Sequence, residues 1–161
     1  MGIGLATRTV TVVCGTVSRS RGYPAGDEAM KSLSLDELLG ELRRRKWMLY
    51  LFGPKEQPTL YAATFQWAAC ADVFILRSEN DATAYRVPTY PNTDVFLPEI
   101  VFWQYHGDPE WTLRAVLTIG VPGQADAPFE FLQAHPLCRI PHEIRQPVTI
   151  RPTGLVQRLT L

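Results

Sequence analysis

The chain has 161 residues, 46% hydrophobic and 20% charged, with 16 basic and 16 acidic side chains that cancel. Such a length bounds it to one domain, or one domain with an arm, and the composition is globular rather than disordered. A zero balance argues against a dedicated nucleic-acid binder, which carries a basic excess to neutralise phosphates. No apolar run approaches the roughly 18 residues that cross a bilayer as a helix. Cys14, Cys70 and Cys138 are far apart and odd in number, so they form neither a disulfide framework nor a metal-ligand pair.

Residues 1–31 differ from the rest. Thr7, Arg8, Thr9 and Thr11 interrupt what a signal peptide needs as a continuous apolar core, and Thr11 fits poorly before Cys14 as a lipid-attachment site. The expected location is the cytoplasm. Thr9–Val13 reads as one strand, and Ser18–Ala29, with Gly22, Pro24 and Gly26, reads as a flexible connector. Met30 stands just before the first well-formed element, which makes it a rival to Met1 as the start. The expected organisation is an arm over 1–31, a core domain over 32–120 and a C-terminal strap over 121–161.

The first clear element is a helix from Leu35 to Lys46. Ser34 with Glu37 three places on makes a capping box, and Leu35, Leu38, Leu39 and Leu42 form an apolar stripe at helical spacing. Arg43 to Lys46 close the helix where cations suit its dipole; an anion or a nucleic acid is the competing reading of that basic run. Strands follow at Trp47–Phe52, Leu60–Trp67, Ala71–Leu76 and Thr83–Val87, joined by Gly-, Pro- and Asn-containing turns. After a proline-punctuated loop over 88–98, the apolar runs Ile100–Tyr105 and Thr112–Ile119 read as a hairpin about the loop His106-Gly107-Asp108-Pro109-Glu110. Trp103 and Trp111 are then expected to pair across the two strands. In the final segment, prolines at 122, 128, 136, 141, 147 and 152 forbid a long helix and any central strand.

The fold class expected is α+β: one N-terminal amphipathic helix packed on a mainly antiparallel β-meander of five to seven strands, with a Pro-rich extended C-terminal strap. The strands are apolar on both faces, and one helix covers only part of one face. The other face calls for the strap, the arm or a second copy of the chain.

Candidate chemistry lies in two places. His106, Asp108 and Glu110 put an imidazole and two carboxylates within five residues, a composition suited to proton transfer or ligand binding as well as to a turn. Asp72, Arg86 and Arg114 are charges inside apolar runs, so they either pair internally (Asp72 with Arg86 or Arg114) or line a cleft that binds an anion. Tyr90, Arg139, His142 and Arg145 are candidates for contacting a partner. Nucleotide loops, nucleophile elbows and zinc motifs are absent from the sequence, and no metal or cofactor is expected. The expected role is a non-catalytic protein-interaction or self-assembling module, most simply a homodimer with neither membrane nor nucleic acid as partner. The alternative is a small enzyme or ligand-binding protein with an Arg/Asp/His-lined pocket between helix and sheet for an anionic small molecule.

Overall fold

The computed structural model describes residues 33–152 of the chain. The strand expected at Thr9–Val13, the connector, Cys14 and the two candidate starts lie outside the described residues. Helix α1 spans Leu35–Arg44. Its capping box is formed: the Ser34 backbone N–H and hydroxyl donate to the Glu37 carboxylate at 2.8 and 2.9 Å. At the other end Lys46 takes φ +61°, with Lys46 N–H donating to the Arg43 carbonyl and Trp47 N–H to that of Leu42. This is the Schellman arrangement, and Leu42 and Trp47 are buried together beneath it.

Strands β1 (Met48–Phe52), β2 (Leu60–Gln66), β3 (Cys70–Ser78) and β4 (Asp81–Pro88) follow as an antiparallel meander. Gly53 turns the chain out of β1 at φ +104°, where a Cβ would meet the Thr59 hydroxyl at 2.7 Å. Then come β5 (Ile100–Val101) and β6 (Trp103–Gly107), helix α2 (Pro109–Thr118), β7 (Leu132–Gln133), 3₁₀ turns at Pro136–Cys138 and His142–Arg145, and β8 (Val148–Pro152). The main sheet is six-stranded and antiparallel, in the order β6-β4-β3-β2-β1-β8; β5 and β7 pair separately. The protein is therefore an α+β fold. Among the described residues no helix is long and apolar enough to cross a membrane.

The expected hairpin over 100–119 is wrong in its second half, because residues 109–118 are helical. Asp108 caps α2 by accepting from the backbone N–H groups of Glu110 and Trp111, and Pro109 occupies the first turn, where its missing N–H costs nothing. Thr112, Leu113, Val116 and Leu117 are the buried face. The run Trp111-Leu113-Ala115-Leu117 also alternates with period two, so apolar spacing fitted both strand and helix; the Asp-Pro-Glu start decides for the helix. Trp111 consequently sits on α2, 58% exposed beneath the Arg114 guanidinium, and does not face Trp103 across strands.

Strand alternation sorts the core into two layers. Leu38, Leu42, Leu113, Val116 and Leu117 of the helices pack on Ala63, Phe74, Ala82 and Ala84 on one face of the sheet. On the other face Ala62, Val73, Ile75, Tyr85 and Val87 pack with Phe96, Val101, Ala134, Cys138 and Ile140. The face that a lone helix could not shelter is thus covered within the chain, by residues from the loop after β4 and from the C-terminal segment.

Candidate functional site

Register places Asp72 of β3 directly opposite Arg86 of β4, on the helix face of the sheet. Arg86 Nε and Nη2 donate to the two Asp72 oxygens at 2.6 and 2.8 Å, and Nη1 donates to the Gly120 carbonyl at 2.6 Å. The Trp67 indole N–H donates to Asp72 at 2.7 Å. Both side chains are essentially removed from solvent, at 1% and 3% exposure. A buried bidentate pair that also bonds a carbonyl and an indole serves as an internal structural pair. Arg114 lies elsewhere: on α2, it donates to the Leu33 carbonyl at 2.6 Å and reaches Glu110 at 3.4 Å. Asp108 is committed to capping α2.

His106 belongs to the opposite face, in a polar cluster that joins β3, β4 and β6 to the C-terminal segment. Arg77 Nη1 donates to the Thr83 hydroxyl at 2.8 Å, and His106 Nδ1 shares a hydrogen bond with the same hydroxyl at 3.2 Å. Nε2 is buried, with no hydrogen-bond partner among the described residues. The His135 ring lies 4.6 Å away, centroid to centroid. Burial first, then the His135 and Arg77 charges, hold the His106 pKa below its ordinary value, against a smaller opposing pull from Asp81. Arg77 also donates to the Leu137 carbonyl, and Gln104 of β6 accepts from His135 N–H at 2.9 Å while donating to the Gln133 carbonyl at 3.2 Å. These bonds fasten residues 133–138 to the sheet.

Asp72, Arg86, Arg114 and His106 thus occupy three separate places and line no common pocket. Of the candidate partner contacts, Arg145 is turned inward: it donates to both oxygens of Asp94 at 3.1 and 2.9 Å and to the Ile140 carbonyl at 2.7 Å. His142 stands 3.7 Å from the same carboxylate, and Arg145 with the Phe96 backbone N–H holds the Asp94 pKa down against the opposing effect of burial. Arg139 donates to the Pro98 carbonyl at 3.2 Å. Tyr90, 63% exposed, and His142, with 72% of its side chain exposed, are open to water, as is much of Arg139. Cys70 and Cys138 are buried thiols, and burial pushes Cys138 up to about 11. Among the described residues no cluster of three or more His, Cys, Asp or Glu side chains is arranged to hold a metal.

Two features escaped the sequence reading. The first is a surface around β6, which among the described residues is paired on one side only. Ile100, Tyr105, Phe129, Phe131 and Leu132 are all at least 39% exposed there, Phe129 reaching 78%. The Phe102 and Phe131 rings meet at 5.4 Å beside an open groove of about 330 Å³ lined by Phe102, Trp103, Pro128, Phe129 and Leu132. The apolar residues between the prolines were the available signal, but spacing cannot say which of them turn outward. The second is a cavity of about 270 Å³ between α1 and strands β1–β3, lined by Leu39, Leu42, Arg43, Trp47, Leu49, Ala63, Phe74 and Leu76. Comparison with protein-family models, with curated proteins and with solved structures finds no match to this chain.

Proposed function

We propose that this chain is a non-catalytic, self-assembling interaction module in which a second copy docks along the open side of β6. The observation that carries this reading is the cluster of exposed apolar side chains about that strand, Tyr105, Phe129 and Phe131 above all. A sheet edge offers unpaired backbone groups, and adjacent aromatics supply the area that backbone pairing alone lacks. An unguarded edge of this kind is a hazard for a protein that remains alone. Two copies meeting edge to edge about a twofold axis close the assembly at a dimer. Of the residues weighed for chemistry, Asp72 and Arg86 are used up in their pair and Asp108 at its helix cap, which favours a binding role over a chemical one. Sedimentation velocity across a concentration series tests this. Association that strengthens with concentration and is lost in Phe129→Ser/Phe131→Ser is the expected result; a monomer at every concentration refutes it.

A further inference from the structure

The cavity between α1 and the sheet is built differently from the β6 surface. Leu39 and Leu42 line one side, and Leu49, Tyr61, Ala63, Phe74 and Leu76 the other, so its walls are mostly hydrocarbon. Arg43 lines it too and is solvent-exposed. Its neighbours Arg44 and Arg45 both bind Glu41, at 2.6 and 2.9 Å. Among the described residues Arg43 has no carboxylate partner, so one cation of the basic run stands uncommitted at the edge of an apolar hole.

A partly open, largely apolar space with few polar groups about it, here the Arg43 guanidinium and the Tyr61 phenol, is the usual form of a small-ligand site. Its size selects the ligand. At about 270 Å³ the space lies just below the roughly 300–1,000 Å³ of drug-sized ligand pockets. That is too little for a folded segment and suits a short hydrocarbon tail. A guanidinium at the mouth selects an anion, and a planar one matches a carboxylate through two parallel hydrogen bonds. We propose that this cavity binds a small amphiphilic monocarboxylate, its hydrocarbon tail between α1 and strands β1–β3 and its carboxylate on Arg43.

The test is isothermal titration calorimetry of the full chain with octanoate, 1-octanol and octyltrimethylammonium, each below its micelle concentration. Octanoate is expected to saturate one site, and each methylene removed from its tail to weaken binding about fourfold. Octanol is expected to bind about fivefold more weakly, the scale of an exposed ion pair. Arg43→Gln should bring octanoate down to the octanol level. Arg44→Gln, the same loss of charge one residue on, should leave octanoate near its original affinity. Leu39→Trp fills the space from the helix side and Leu49→Phe from the sheet side, so loss of binding in either folded variant supports the site. Methyl resonances of Leu39, Leu42, Leu49 and Leu76 should move with octanoate. Absence of binding, equal affinity for the ammonium amphiphile, or methyl shifts confined to other leucines overturns the proposal. So do nuclear Overhauser contacts placing residues 1–32 or a second copy against these methyl groups in the ligand-free protein.

Discussion

Arg86→Met is the most searching perturbation of the fold. It removes the two bonds to Asp72 and the one to Gly120, leaving a carboxylate 2% exposed with only the Trp67 indole N–H as partner. Stranding one member of a buried pair costs about 3–5 kcal/mol. Against a total stability of about 5–15 kcal/mol, the variant is marginal but measurable. With a urea slope of about 2 kcal/mol/M, the midpoint should fall by about 2 M. Asp72→Leu strands the guanidinium instead and should cost a similar amount. The double variant removes both charges and leaves only the neutral indole and carbonyl unpaired, so it should be less destabilised than the sum of the singles by at least about 2 kcal/mol. Urea unfolding followed by circular dichroism on all four proteins completes the cycle. Strict additivity, or a loss under about 1 kcal/mol in Arg86→Met, would show that the pair is wet and solvated and would refute the reasoning.

Three further outcomes follow from named groups. Because burial holds His106 below its ordinary value of 6.5, the unfolded chain binds more protons than the folded one as the pH drops below that value. Its contribution is complete above 6.5 and is lost on acidification; melting temperatures between about pH 5 and pH 8 should fall toward acid, and His106→Gln should flatten that fall. Asp108→Ala removes the acceptor for two α2 backbone N–H groups and should cost about 1 kcal/mol in a denaturation curve, whereas no change would mean the helix start is held by Pro109 alone. Cys138 is fully buried with its thiol near 11, so brief alkylation at neutral pH followed by peptide mass mapping should find it unmodified until denaturant is added; ready labelling would mean that residues 133–138 lift from the sheet.

Elements whose signals are local were legible in the sequence. Ser34 and Glu37 mark the start of α1 because a capping box needs only residues three apart, and β1 to β4 follow from β-branched and aromatic runs separated by turn residues. The internal pairing of Asp72 with an arginine was likewise one of two readings on the page, since a charge in a doubly covered strand has few alternatives. Helix α2 was misread because Trp111 to Leu117 satisfies two periods at once, and a hydrophobic pattern cannot choose between them without the neighbours that bury it. What only the tertiary structure decided is which distant groups meet. Sheet register sets Arg86, rather than Arg114, opposite Asp72, and strand alternation turns His106 toward Thr83 and His135. The placement of α1 leaves an opening at Arg43 and Leu49, and residues 94–101 and 134–140 close the far face. Each of these rests on contacts between residues far apart in the chain, and local composition carries no record of such contacts.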